Sequence, residues 1–197
     1  MDGSKIMELK QTLHFFVDNM FCEFRCLKPE DVSSKYIEGL KNYSKFILRV
    51  PEDVNMEIQK KYINNILESE NATIFGLFLQ EKLIGTSVIQ KTIGFVNLPQ
   101  IPVVSIATLG IFIFDLDYRS FGLGKTLVWA ATHLYHSATL TILYGAGIEK
   151  ENIPSQKSFL SCGYKPVYED TKNLKVVLNY TELIKPNIIN NVSLKYN

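Results

Sequence analysis

Apolar positions along this chain change rhythm several times, and each change marks an element. Ala72 to Leu79 and Leu83 to Thr92 are short apolar runs around Gln80-Glu-Lys, the pattern of two strands and a tight turn. Upstream, Met56, Tyr62, Ile63, Ile66 and Leu67 recur at helical spacing and predict a helix over Asn55 to Glu68. Lys28-Pro-Glu-Asp-Val puts Pro29 and two acids in a first helical turn, so a second helix is expected to about Lys41. Glu23 to Leu27 alternates as a strand, and Leu9 to Val17 fits either a short helix or a strand. Lys45 to Val50 is connecting chain with room to order over a ligand.

The longest apolar run, Ile101 to Phe114, is broken by Pro102, Ser105 and Thr108. It falls short of the roughly 18 residues a membrane span needs, and predicts a buried strand over Val103 to Phe114. A helix from Leu123 to Ser137 follows, then a strand Thr139 to Gly145 and a helix Ile153 to Cys162 ended by Gly163. Lys165 to Glu169 and Leu174 to Leu183 complete the pattern as a strand pair. Residues 1–20 form an N-terminal extension of uncertain type, and the Asn-rich tail 186–197 is expected to fray. The whole predicts one domain, 1–197, built as a mixed α/β sheet with helices on its faces.

Composition narrows the classes. Apolar residues make up 46% and charged residues 21%, ordinary for a globular protein. A formal charge of +1 argues against a broad basic face for nucleic acid. No signal-peptide pattern opens the chain, so no membrane partner is expected and the cytoplasm is the expected location. Cys22, Cys26 and Cys162 lack paired metal-ligand spacing and read as free thiols of a reducing compartment, with no metal expected.

One stretch carries chemistry. The apolar strand ending in Ile111-Phe-Ile-Phe114 runs into Asp115-Leu-Asp-Tyr, then Arg119-Ser-Phe-Gly122-Leu-Gly124-Lys125-Thr126, then a helix. Unpaired N–H groups and the positive end of a helix meet there, which suits a phosphate. The mononucleotide pattern G-x-x-x-x-G-K-[S/T] fails because Arg119 stands at its first glycine. The dinucleotide pattern G-x-G-x-x-G fails because no third glycine follows Lys125. What remains is R-x-x-G-x-G-K, in which Gly122 and Gly124 let backbone approach a ligand.

That segment resembles the acetyl-CoA pyrophosphate loop of the GNAT superfamily of N-acetyltransferases, [Q/R]-x-x-G-x-[G/A] after the central strand. A second signature follows: Asn152-Ile-Pro-Ser155-Gln-Lys-Ser-Phe159-Leu-Ser-Cys-Gly163-Tyr164 is similar to the family's N-x-x-[A/S]-x-x-x-[Y/F]-x-x-x-G-[F/Y]. Phe24-Arg-Cys-Leu-Lys-Pro-Glu-Asp-Val resembles the start of the branch that includes ribosomal-protein N-terminal acetyltransferases. The resemblance covers about residues 72–170, is weaker over 23–70 and is absent from both tails. It implies a mixed, mostly antiparallel central sheet of about six or seven strands.

The resemblance also implies roles. Arg119, Phe121, Gly122, Leu123, Gly124, Lys125 and Thr126 would bind the CoA pyrophosphate. Ile111, Phe112, Ile113 and Phe114 would line the pantetheine arm through main-chain hydrogen bonds. Asn152, Ser155 and Phe159 would complete the acetyl-CoA site, Asn152 also serving as a helix N-cap. The chemistry is direct attack of a neutral amine on the thioester, which needs a base and an acid for the leaving thiolate. Phe159 stands where many relatives carry a tyrosine acid; unassisted departure of a CoA thiolate is credible at an ordinary thiol pKa. Thr108 occupies the position of a catalytic glutamate in some relatives and could order a water. Glu149, at the end of its strand, and Asp115 or Asp117 beside the loop are the candidate bases, each more readily read as a solvated turn acid.

The expected partner is a small-molecule amine, such as an amino-sugar nucleotide, with the protein a monomer or homodimer. A protein N-terminus as acceptor is the alternative within the class. A non-catalytic acyl-CoA-binding or regulatory domain is the alternative outside it.

Overall fold

The computed structural model describes residues 10–42, 53–95, 105–118 and 121–196. Nine strands join in one sheet in the order β7-β8-β6-β5-β4-β3-β2-β1-β9. They are β1 (Gln11–Val17), β2 (Met20–Cys26), β3 (Ala72–Leu79), β4 (Lys82–Ile93), β5 (Ser105–Ile113), β6 (Leu143–Glu149), β7 (Lys165–Glu169), β8 (Asn173–Asn179) and β9 (Ile189–Tyr196). Helices α1 (Ser34–Asn42), α2 (Met56–Leu67), α3 (Leu123–Thr139) and α4 (Ile153–Ser161) complete it. Every neighbouring pair of strands is antiparallel except β5 and β6.

The two faces have separate cores. On one, α3 lays Leu127, Val128, Trp129, Ala131 and Leu134 on Phe15, Phe75, Leu109 and Tyr144. Trp129 meets Phe15 edge to face at 5.8 Å, the core position its helical spacing implies. On the other, α1 and α2 bury Tyr36, Ile37, Leu40, Ile63 and Ile66 against Ile74, Phe78 and Phe114. Tyr36 stacks on Phe114 at 4.9 Å, and its hydroxyl accepts a hydrogen bond from Gln59 Nε2 at 3.0 Å.

Local chemistry explains most boundaries. Asn55 caps α2 by accepting the N–H groups of Glu57 and Ile58. Gln80 and Glu81, both at positive φ, form the turn between β3 and β4. Gly163 ends α4 at φ +94, and the Glu182 carbonyl oxygen lies where a Cβ would stand.

Four expectations need correction. The first helix does not start at Pro29: Pro29–Asp31 is a separate 3-10 turn, Val32 is extended, and α1 begins at Ser34. The strand expected over Thr139–Gly145 lies at Leu143–Glu149, because α3 continues to Thr139 and Leu140 caps it in the left-handed region. The strand expected to run to Leu183 stops at Asn179, where a 3-10 turn over Tyr180–Glu182 begins. The tail does not fray over residues 189–196, which form β9 and pair with β1. Together with β1, that strand raises the sheet above the expected six or seven.

Candidate functional site

β5 and β6 pair in register only at Ala107↔Tyr144 and Thr108↔Gly145. β5 continues to Ile113, still paired to β4, and β6 continues to Glu149, still paired to β8. Two parallel strands therefore part company beyond Thr108, and Leu109 to Ile113 present an edge toward the gap. An edge of that kind offers main-chain donors and acceptors to an extended ligand. Ile111, Phe112 and Ile113 stand on it, half-buried. The Phe114 side chain is in the core and its N–H donates to Ile84 O at 3.3 Å, so neither of these faces the gap.

The glycine loop follows the end of β5 at which the gap opens. Arg119, expected at the pyrophosphate, lies outside the described residues. Gly122 is the N-cap of α3, at φ 74 and ψ 10, and the first helical bond runs from Thr126 N–H to its carbonyl at 3.1 Å. The N–H groups of Leu123, Gly124 and Lys125 precede that bond and point out of the helix end, where an anion is favoured. Lys125 folds back so that its Cε lies 2.9 Å from where a Gly122 Cβ would be. Phe121 is exposed beside it.

Not every residue of the loop faces the opening. Thr126 is buried, and both its N–H and its hydroxyl donate to Gly122 O, so neither is available to a ligand. Leu123 is buried through its side chain and offers main chain alone. A Cβ on Gly124 would lie 2.5 Å from Ser158 Oγ of α4, so the loop packs tightly against that helix. Cys162 Sγ also donates to Lys125 O at 3.2 Å. The two sequence motifs thus touch, α4 bracing the first turn of α3.

Asn152 caps α4, its side chain accepting Ser155 N–H at 3.2 Å. Phe159 is buried, edge-on to Tyr164 at 5.0 Å, and presents no surface to a ligand here. Tyr164 has a hydroxyl, but it is buried against Thr132 Oγ1 at 2.9 Å, and burial pushes its pKa up.

The acids divide sharply. Asp115, expected as a solvated turn residue, is buried; its Oδ2 receives Lys35 Nζ of α1 at 2.7 Å and its Oδ1 accepts Asp117 N–H at 3.2 Å. Asp117 is exposed. Thr108 Oγ1 lies 2.8 Å from Thr92 Oγ1 and donates to Gln90 O at 3.1 Å, so its proton is committed. Glu149 is exposed at the end of β6, about 13 Å along the sheet from Thr108 at strand rise. The structure does not bring these two candidates together.

The sequence pattern gave no weight to two glycines that define the opening. Continuing the β5·β6 register places Gly110 opposite Gly147, and a Cβ on either would meet nothing within 4 Å. Glycine inside a strand is the signal that marks close approach, and neither was singled out for it. A separate cleft of about 260 Å³, lined by Lys91, Ile106, Leu140 and Ile142, sits at the other end of β5, away from the glycine loop. Among the described residues, no group of three metal-ligating side chains converges and no helix is long and apolar enough to cross a membrane.

No protein-family model and no curated protein matches the chain. Solved structures do match it. Ribosomal-protein-S5-alanine acetyltransferase from Vibrio fischeri aligns over 84% of this chain and 96% of its own, at 15% identity and a TM-score of 0.65. An acetyltransferase of the GNAT family from Streptococcus pneumoniae aligns over 80% and 99%, at 18% identity and a TM-score of 0.59. An aminoglycoside acetyltransferase in complex with coenzyme A aligns over 82% and 96%, at 15% identity and a TM-score of 0.66. At such identities the likeness is one of architecture, and the architecture of this chain is the GNAT acetyltransferase fold.

Proposed function

We propose that this protein is an acetyl-CoA-dependent N-acetyltransferase that acts on a primary amine of a small molecule, such as an amino-sugar nucleotide. The features that carry this are the β5–β6 gap and the Gly122-capped end of α3, which follows the same end of β5 along the chain. A pyrophosphate at the N–H groups of Leu123, Gly124 and Lys125 leaves the pantetheine arm to run along Leu109 to Ile113. That brings the thioester toward Gly110 and Thr108. Neighbours of the same fold are described in complex with CoA or acetyl-CoA, which supports the same co-substrate here.

Direct attack in a ternary complex suits the residues present. Thr108 holds a fixed hydroxyl beside the gap and serves to order a water rather than to take a proton. With Phe159 buried and Tyr164 locked to Thr132, the CoA thiolate leaves without a tyrosine acid, as an ordinary thiol acidity permits. The missing hydroxyl at Phe159 is also what favours the second reading, a domain that binds acyl-CoA without turnover.

Release of free CoA from acetyl-CoA, followed with a thiol reagent across a panel of primary amines, separates the two. Amine-dependent release at micromolar to millimolar acceptor supports transfer. Tight acetyl-CoA binding with no release across sugars, amino acids, polyamines and N-terminal peptides supports the binding domain. Preference for the peptides alone moves the acceptor to a protein N-terminus.

A further inference from the structure

The open glycine pair has a charged wall. Gly147 pairs with Lys175 of β8, and Lys175 pairs in turn with Tyr168 of β7. Side chains at Thr108, Gly145, Gly147 and Lys175 share one face of the sheet, since strand positions two apart and cross-strand partners point the same way. On that face Phe95 lies over Gly145, its ring 2.7 Å from where a Cβ would stand. Lys175 Nζ donates to Phe95 O at 2.8 Å, 5.2 Å from the Phe95 ring centroid and 5.5 Å from that of Tyr168. A half-buried ammonium is thus held between two aromatic rings at the border of a floor that has no side chains. An ammonium has three donors, and the described residues supply an acceptor for one.

We infer that Lys175 binds an anionic group, a carboxylate or a phosphate, on the acceptor amine, with the floor of Gly110 and Gly147 giving the rest of the molecule room. This deepens the acetyltransferase reading and rests on it. The charge lies to the side of the gap, so it selects the acceptor and leaves acetyl-CoA binding alone. The flanking rings strengthen the site by lowering the local dielectric around the ion pair. Two of the ammonium donors and a partly desolvated setting favour an anion over a neutral hydroxyl.

The test uses the full chain and Lys175→Met, with Lys175→Arg retaining the charge. Initial rates are measured for amines paired by charge: glucosamine with glucosamine 6-phosphate, and phenethylamine with phenylalanine. The expected result is a higher kcat/KM for the anionic member of a pair. Lys175→Met should lower that value about tenfold or more while neutral members change less than about twofold, and Lys175→Arg should keep the preference. The acetyl-CoA dissociation constant should be the same in all three proteins. An equal loss for charged and neutral amines, or no preference in the native protein, overturns the inference. Calorimetry of glucosamine 6-phosphate and phenylalanine against the CoA-loaded protein reads the site without turnover. Binding lost in Lys175→Met supports it; binding of neither anion, or equal binding in both proteins, overturns it. Failure of the native protein to bind acetyl-CoA would instead remove the acetyltransferase reading itself.

Discussion

A Cβ placed on Gly122 would lie 2.7 Å from Ile188 Cδ1, so the C-terminal segment packs directly beneath the glycine loop. Ile188 is held there by its own main chain, its carbonyl accepting Asp18 N–H at 2.9 Å, and β9 begins at the next residue. Gly122→Val therefore suffers twice: from a positive φ that β-branched residues avoid and from contact with Ile188. Its acetyl-CoA dissociation constant should rise about tenfold or more in a protein that still folds. Removal of residues 187–197 should weaken acetyl-CoA binding as well and lower the Tm. Unchanged binding in the truncated protein would show that the loop is supported from elsewhere.

Lys35 and Asp115 tie α1 to the turn that leads into the loop. Asp115 is buried, so removing its partner leaves a carboxylate poorly paired, whereas Lys35 is half exposed and loses little itself. Lys35→Ala should lower the midpoint of urea unfolding measurably, though less than breaking a fully buried pair would, because water reaches one side. An unchanged midpoint would class this with ordinary surface pairs.

Burial raises the thiols of Cys22 and Cys162 to about 12 each. Neither forms an appreciable thiolate near neutrality, and the thiolate is the reactive form. Ellman's reagent at about pH 8 should leave both unmodified in the native protein and label all three cysteines after unfolding. Rapid native labelling of Cys162, identified by peptide mapping, would mean that α4 does not stay docked on α3.

The ring of His133 stacks on Trp129 at 5.2 Å, with Nδ1 2.8 Å from the Tyr180 hydroxyl. Burial first, and the charge of His136 second, lower its pKa from 6.5. Folding thus favours the neutral ring. Stability from this source is complete above pH 6.5 and is lost as pH falls through the lowered value. At the alkaline end, burial raises Tyr36 from 10 to about 12, so its contribution is present below pH 10 and is lost through about 12. The Tyr36 effect amounts to roughly 2 to 3 kcal/mol at most. Thermal unfolding against pH should show both slopes, and His133→Gln should flatten the acid one.

Local signals were legible where they depended on neighbours in the chain. The Asn152 cap, the Gln80-Glu turn and Gly163 could be read at once, whereas Pro29 opens a 3-10 turn and not the helix it announces. The β5–α3 junction was equally legible because glycine spacing and apolar runs are local. What escaped depends on distant pairing. Ile189 is the one buried residue of β9, so its Asn-rich sequence carries no alternation to announce a strand. Thr139-Leu-Thr-Ile-Leu alternates like a strand, yet α3 runs through Thr139, whose hydroxyl donates to Tyr135 O at 2.7 Å. Asp115 reads as solvated until α1 delivers Lys35. Gly110 and Gly147 acquire meaning only when the register sets them across the gap from each other.

The central claim is that acetyl-CoA enters the gap between β5 and β6 with its pyrophosphate on the end of α3. Amide hydrogen exchange of the protein with and without acetyl-CoA tests it most directly. The account predicts binding, with slowed exchange confined to residues 109–113 and 122–125. No binding, or protection centred on the cleft around Lys91 and Ile142 with residues 109–113 and 122–125 unchanged, would contradict it.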